Sequence, residues 1–207
     1  MNIFNDIVSK NKEYYIQDLK DLIRTSKYGT NSVQDHLLEK FTNLKCINDD
    51  YNFEPKTIDL VEEFASDTKH GTKYERAIVA KYKGESDGKN IILFSHPDTE
   101  VYANDDGWHH DPFEPKISNN KLSGWGIADD LAGVAMMYHC LDLIKKSGIR
   151  LKGDIILAST PSKNHARGIA SVLDKEYFAD SAIYLHPAES GNGLKDIKAF
   201  TPGQIVF

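Results

Sequence analysis

The sequence predicts an α/β layered domain, because short apolar strands alternate with amphipathic helices along the chain. Strand-like apolar runs occur at residues 91–94, 153–159 and 181–186. Helix-like runs, whose apolar residues recur near every 3.6 positions, occur at residues 5–26 and again after residue 130. A length of 207 residues with 40% apolar side chains is enough for one large domain with a real core.

Two helices are predicted in the N-terminal part of the chain. The first covers residues 5–26, and the Gly29–Ser32 segment interrupts its pattern. Ser32 is the predicted N-cap of the second helix. The apolar positions of that helix are Val33, Leu37, Leu38, Phe41 and Leu44. Residues 45–58 are polar and contain Pro55, so an irregular segment is expected there.

The middle of the chain contains two strands and a long loop. Residues 76–82 and 91–94 read as strands joined by a turn at 84–88, which predicts a β-hairpin. A loop then runs from Asp98 to about Gly126. Loops of this length inside a domain are usually functional.

The C-terminal part continues the alternation of helix and strand. A helix with a buried stripe is predicted after Asp130 and ends at Gly148. A buried strand at 153–159, a polar loop through Arg167, a short helix and a strand at 181–186 follow. The last segment, 197–207, is expected to form a strand, a turn and the start of another strand.

Composition excludes several classes of protein. The net charge of −6 argues against a general nucleic-acid binder, and no apolar run is long enough to span a bilayer. The N-terminus lacks the basic and apolar regions of a signal peptide. Cys46 and Cys140 are too few for a disulfide framework or a cysteine metal site, so ordinary packing is expected for both. We therefore expect a cytoplasmic protein without membrane or nucleic-acid partners.

Polar side chains suited to metal chemistry follow the apolar strands or begin a helix. His96 and Asp98 come directly after residues 91–94, and side chains two apart on a strand face the same way. Asp129 stands before the third helix and His186 ends the strand predicted at 181–186. Strand ends are where open α/β sheets build their sites. Histidine binds metals and a nearby carboxylate fixes its orientation.

Several motifs, in order, resemble the dizinc metallopeptidase and deacylase family of aminoacylase, acetylornithine deacetylase, succinyl-diaminopimelate desuccinylase and carboxypeptidase G. The family's His-x-Asp motif is similar to Phe94-Ser-His96-Pro-Asp98-Thr. Its Trp and Asp-Pro-Phe loop is similar to Trp108 with residues 111–113, and its Gly-x-Gly-x-x-Asp motif to residues 124–129. The resemblance runs from about residue 70 onward. It implies a three-layer αβα catalytic domain with a mixed, largely parallel sheet.

The resemblance also implies roles for individual residues. His96 would bind one zinc, Asp98 would orient His96, and Asp129 would bridge two zincs, with a peptide bond after Asp129 that is often cis. A bridging anion offsets the repulsion between two close cations. The metals would lower the pKa of a water that attacks an amide or acyl carbon of a small molecule or peptide. Co²⁺ or Mn²⁺ would also suit such a site.

The family's Glu-Glu pair is missing from the expected position. After Thr160-Pro161, Lys163 stands where the resemblance implies the general base, and Asn164 stands where it implies a zinc ligand. A protonated lysine is no base, and its charge is unfavourable beside two zincs. His165 would supply the missing ligand if the loop is shifted by one residue.

The next ligand in the family is usually a carboxylate before proline, and here it is His186-Pro187. The amino-acid-conjugate hydrolases, one branch of the family, use histidine near this point, so His186 is the expected ligand. Glu189 is the nearest carboxylate and is an alternative. His109 and His110 are expected to lie in a solvated loop.

The resemblance also implies a division of the chain. Residues 1–195 would be the N-terminal part of the catalytic domain, and 196–207 the beginning of a lid or dimerisation domain, with the final histidine ligand beyond it. A homodimer is expected only if that lid is present. Two functions follow: a zinc-dependent amide hydrolase represented by its N-terminal portion, or an inactive relative or fragment that acts as a binding or assembly module.

Overall fold

The computed structural model describes residues 3–58, 74–103, 107–161 and 166–186. The strands are β1 (Ile47–Phe53), β2 (Glu75–Tyr82), β3 (Ile91–Ser95), β4 (Lys116–Ser118), β5 (Lys121–Ser123), β6 (Ile155–Ser159) and β7 (Ser181–Tyr184). The helices are α1 (Ile3–Ser26), α2 (Thr30–Asn43), α3 (Ala132–Ser147) and α4 (Arg167–Asp174), with a 3₁₀ turn at Pro55–Thr57. None of these helices, within the described ranges, has the length and apolar character needed to cross a membrane.

Five strands form a mixed sheet in the order β1-β2-β6-β3-β7. β3 is parallel to both β6 and β7, whereas β2 is antiparallel to both β1 and β6. The parallel strands β6, β3 and β7 therefore end at one edge of the sheet. Their carboxyl ends are where α/β folds gather functional side chains.

The predicted hairpin between β2 and β3 is wrong, because β6 lies between these two strands. The connection at 84–88 instead packs against the segment that precedes β6. The Glu85 amide donates a hydrogen bond to the Leu151 carbonyl in that segment at 2.8 Å. Gly84 and Gly153 permit this approach. A Cβ on Gly84 would lie 2.4 Å from the Gly153 carbonyl oxygen.

Alternate residues of the central strands build two cores on opposite faces of the sheet. The main core combines one face of the sheet with α1, α2 and α3. Its most completely buried members include Leu22, Leu37, Phe41, Ile78, Leu157, Tyr138 and Leu141. The second core, against α4, consists of Val79, Ile92, Ile156, Ala158 and Val172. Helices thus cover both faces of a mixed sheet, as expected.

Two N-terminal details differ from the sequence-based expectation. Residues 45–58 are not irregular, because Ile47–Phe53 form the edge strand β1, which pairs along its whole length with β2. Helix α2 begins at Thr30 with Gly29 as its N-cap, so Ser32 is not the cap. The Ser32 hydroxyl lies inside the helix and donates to the Tyr28 carbonyl at 3.4 Å.

The long loop after Asp98 is more regular than expected, because it contains the small hairpin β4–β5. The predicted C-terminal helix end is confirmed, with Gly148 as the cap of α3. The short predicted helix near residue 168 is α4. Cys46 and Cys140 are free and pack against the main core.

Several expectations fall outside the described residues. Lys163, Asn164 and His165 belong to one undescribed segment, 162–165. Glu189, the division at residue 195 and the 196–207 segment belong to another, 187–207.

Candidate metal centre

His96 lies directly after β3, and its side chain is buried, with 2% of its surface exposed. Its Nδ1 atom is 3.0 Å from the Asp98 carbonyl oxygen and 3.5 Å from Asp98 Oδ1. A proton on Nδ1 satisfies this carbonyl and leaves the Nε2 lone pair available for a metal. His96 Nδ1 thus contacts Asp98 through both its main chain and its side chain, and the orienting role of Asp98 stays a prediction.

Asp129 lies between two imidazoles. Its Oδ1 atom is 3.0 Å from His96 Nε2 and 2.9 Å from His186 Nε2. His186 follows β7, so the neighbouring parallel strands β3 and β7 each deliver one histidine to the same edge of the sheet. The two imidazole rings are stacked, with centroids 5.6 Å apart.

Asp129 reaches this position from an irregular turn that precedes α3. Its φ of −145° and ψ of 82° are not helical, and the Asp129–Asp130 peptide bond is cis. The cis bond that the resemblance implies after Asp129 is therefore present. The Leu131 amide donates to the Gly126 carbonyl at 2.9 Å and closes the turn.

The donor set fits a divalent transition metal. One ligand atom each from His96, Asp129 and His186 lies within 4.8 Å of the others. Imidazole nitrogens and a carboxylate oxygen are ligands that zinc prefers. Their lone pairs repel one another at these distances, so a proton or a cation must hold the cluster together.

The charges of neighbouring groups shift the acidity of His96. Burial lowers the pKa of His96, but the hydrogen bond and charge of Asp98, with the charge of Asp130, outweigh burial and raise it above the usual value. The arrangement thus favours positive charge at the imidazole. A site with this bias also favours a bound cation.

Behind these three residues lies a carboxylate that sequence reasoning missed. Asp130 is fully buried, and the Ser95 hydroxyl donates a hydrogen bond to its Oδ2 atom. Burial raises the pKa of Asp130 to about 6, although Ser95 and the nearby histidines act in the opposite direction. The only sequence signal was the position of Ser95 and Asp130 beside the motif residues His96 and Asp129.

Aromatic side chains border the centre. Tyr184 stacks on Phe94 with centroids 4.7 Å apart, and its ring centroid is 5.1 Å from that of His186. Burial and the carboxylates of the centre raise the pKa of Tyr184 well above its usual value. Tyr184 therefore stays a neutral phenol at physiological pH.

The loop after Asp98 forms a second aromatic group next to Gly126. Tyr102 contacts both Phe113 and Trp125, and Trp108 lies 6.2 Å from Trp125 between ring centroids. Of the two loop histidines, His109 is exposed and His110 is half-buried, 3.2 Å from the Ser123 hydroxyl. Within the described residues, neither joins the cluster of His96, Asp129 and His186.

The model of Peptidase family M20/M25/M40 matches residues 92–203, more than half of the chain. The chain belongs to this family. The matched segment contains the whole cluster of His96, Asp129 and His186. The resemblance inferred from the motifs is therefore confirmed, and M20 relatives are metal-dependent hydrolases of amide bonds.

Two curated relatives act on amide bonds, by their names. This chain is 34% identical over 109 residues to N-formyl-4-amino-5-aminomethyl-2-methylpyrimidine deformylase of Bacillus subtilis, a match that covers 51% of this chain and 26% of that protein. It is 36% identical over 117 residues to carboxypeptidase G2 of Pseudomonas sp., covering 56% of this chain and 27% of that protein. The chain thus spans about a quarter of the length of both relatives.

A solved structure supports the fold. The dipeptidase Dug1p of Saccharomyces cerevisiae superimposes with a TM-score of 0.69 at 16% identity, over 88% of this chain and 40% of that chain. The mixed sheet with helices on both faces is thus the M20 catalytic-domain fold.

Proposed function

We propose that this chain carries metal ligands of a zinc-dependent amide hydrolase, a peptidase or N-deacylase. The observation that supports this most directly is the placement of one carboxylate oxygen within 3.0 Å of two histidine nitrogens. His96, Asp129 and His186 would hold the metal. When bound, zinc would supply an activated water and polarise the scissile carbonyl.

The residues of the chain have separate tasks in this function. Asp98 holds His96 with its Nε2 atom toward Asp129. Tyr184 and Phe94 stack on each other and form an aromatic border beside the imidazoles. Substrates would be small N-acyl or N-formyl compounds or short peptides, in line with the names of the deformylase and the carboxypeptidase.

A second function is favoured by the substitutions in the motif after Thr160-Pro161. Lys163 stands at the position of the general base and Asn164 at a ligand position, with His165 as the alternative ligand. A cation in place of a base removes the group that would take the proton from water. The alternative is therefore a relative that retains the fold and metal ligands for binding or assembly without hydrolysis.

Metal content after dialysis tests the first proposal. We expect the wild-type chain to retain stoichiometric zinc, and the variants D129A and H186A to bind zinc at least about 100-fold more weakly, since even outer partners of metal ligands cost 10–100-fold. H110A is the matched control, because His110 lies outside the cluster. A wild-type chain without zinc, or equal losses in H110A and D129A, would contradict the proposed ligands.

Hydrolysis separates the two functions. We expect zinc-loaded protein to hydrolyse N-acyl amino acids, dipeptides or an N-formyl aminomethylpyrimidine, with D129A inactive on the same substrate. Stoichiometric zinc without hydrolysis of any of these would instead support the binding module.

A further inference from the structure

A buried hydrogen bond lies directly behind the candidate metal ligands. Ser95 and Asp130 are each 0% exposed, and the Ser95 hydroxyl donates to Asp130 Oδ2. Each is the immediate neighbour of a candidate ligand, Ser95 of His96 and Asp130 of Asp129. The end of β3 and the turn before α3 are thus tied together one residue away from the ligands themselves.

The third candidate ligand is tied to the same place through the main chain. The Leu185 amide, next to His186, donates to the Phe94 carbonyl at 2.9 Å. The Leu185 carbonyl packs against Gly133, where a Cβ would lie 1.8 Å from that oxygen and 2.4 Å from Asp130 Oδ1. Leu185 and Asp130 therefore both contact the first turn of α3.

We propose that Ser95 and Asp130 form a positioning pair that sets the distance between His96 and Asp129 for a divalent transition metal. This rests on the proposed function, because it assumes that those two residues are ligands. Metal ligands must be held within about 0.5 Å of their productive geometry. A hydrogen bond between the residues adjacent to two ligands restrains both backbones without either side chain touching the metal.

The chain offers a matched control for the serine. Ser159 is also 0% exposed, ends β6 and is the register partner of Ser95 on the neighbouring strand. Within the described residues, its hydroxyl has no hydrogen-bond partner. S95A and S159A remove the same atom from equivalent buried strand ends, but only S95A removes the bond to Asp130.

The experiment measures Zn²⁺ affinity by competition with a chelating indicator for the wild type, S95A, D130N, S95A/D130N and S159A. We expect S95A and D130N to weaken zinc binding by about 10–100-fold, as loss of an outer partner of a metal ligand does. The double variant is expected to lose little more than the worse single variant, because both remove one interaction. S159A is expected to bind zinc as the wild type does.

A second readout separates positioning from stability. Urea unfolding shows whether each variant is folded under assay conditions, and the visible absorption spectrum of the Co²⁺-loaded protein reports ligand geometry. We expect an altered Co²⁺ spectrum in folded S95A and an unchanged spectrum in S159A. If D130N does not fold, S95A decides the outcome alone.

Two negative results have different meanings. Wild-type affinity and an unchanged Co²⁺ spectrum in folded S95A would overturn the positioning pair and leave the proposed function standing. A wild-type chain that binds no zinc would overturn both.

Discussion

At the scale of single residues, Gly133 shows how tightly the centre is built. It lies in the first turn of α3, between the Leu185 carbonyl and the Asp130 carboxylate. A backbone carbonyl cannot move aside as the end of a flexible side chain can. The absence of a side chain at residue 133 therefore allows the strand that carries His186 to approach the turn that carries Asp129.

We expect G133A to destabilise the protein by about 2 kcal/mol in total, since overpacking against a backbone carbonyl costs up to about 3 kcal/mol. Intrinsic helix propensity acts in the opposite direction, because alanine in a helix interior is favoured over glycine by about 1 kcal/mol. The sign of the change in the free energy of unfolding, measured in urea, therefore decides which effect dominates. A stabilised G133A would contradict the close approach.

A matched variant exists at the adjacent position. A132G makes the reverse exchange in the same helix turn, and it is expected to cost about 1 kcal/mol from helix propensity. If G133A is destabilised and A132G is destabilised less, packing against Leu185 accounts for the difference.

At the scale of elements, the decisive feature is the placement of β6 between β2 and β3. Asp154, just before β6, holds the connection that leaves β2. Its Oδ1 atom accepts a hydrogen bond from the Gly84 amide at 2.9 Å, and Oδ2 accepts one from Lys83 at 3.0 Å. Its carbonyl accepts from the Ile91 amide at 3.1 Å, so one residue contacts the chain at the end of β2 and the start of β3.

We expect D154N to lower the free energy of unfolding at pH 7 by about 1–2 kcal/mol, through loss of hydrogen bonds to a charged acceptor. Burial would raise the pKa of Asp154, but the Gly84 amide and Lys83 lower it below its usual value. A carboxylate with a depressed pKa stabilises the fold above its unfolded pKa near 4, and this contribution is lost as the pH falls.

Unfolding curves at several pH values check this. The difference between the wild type and D154N is expected to shrink as the pH falls below about 4, where the carboxyl becomes protonated. D87N, in the exposed part of the same connection, is the control and is expected to behave as the wild type. A difference that grows on acidification would contradict the role given to Asp154.

At the scale of the whole molecule, one buried carboxylate joins the three helices on the main face of the sheet. Asp18 of α1 is 4% exposed. It accepts hydrogen bonds from Tyr138 at 2.6 Å and His139 at 2.8 Å, both on α3, and pairs with Lys40 on α2. Burial would raise the pKa of Asp18, but these three partners hold it well below its usual range.

We expect D18N to lower the free energy of unfolding at pH 7 by about 3 kcal/mol, because removal of one partner leaves the partly buried Lys40 uncompensated. The depressed pKa of Asp18 implies that its contribution is present above pH 4 and lost as the pH falls. The wild type should therefore lose stability on acidification more steeply than D18N. Unfolding in urea from pH 7 to pH 3 measures both effects.

D21N, one turn further along α1, is the matched control. Asp21 pairs with Arg24 at the surface, where both side chains are well exposed. Exposed pairs of this kind contribute about 0–1 kcal/mol. Equal losses in D18N and D21N would mean that Asp18 does not join the helices as described.

Much of the fold was predictable because the buried face of a helix or strand places apolar residues at regular intervals along the sequence. Strands β3 and β6 and helices α1 and α3 carry clear apolar patterns, and the structure confirms them. Strand β1 was missed because its sequence, with Asn48, Asp49 and Asp50, has no apolar alternation. It is a strand because it pairs with the edge of β2, and backbone pairing leaves no signal in the order of side chains.

The candidate site also has residues that the sequence predicts and residues that it does not. The motifs identified the family, which the comparisons confirm, and they predicted His96, Asp98, Asp129 and His186 as site residues. The assignment of these residues as ligands stays a prediction, as does the role of the positions held by Lys163 and Asn164. Ser95 and Asp130 were not predicted, because their importance comes from a contact across 35 positions of the chain.

The sequence by itself determined the α/β class, the family and the residues with metal-binding chemistry, because each depends on local pattern or on short motifs. Only the tertiary structure decided that β6 separates β2 from β3, that one carboxylate oxygen contacts two imidazoles, and that a buried serine and aspartate lie behind them. These depend on which distant segments pack together, and close packing between segments is a property of the folded chain rather than of any single stretch.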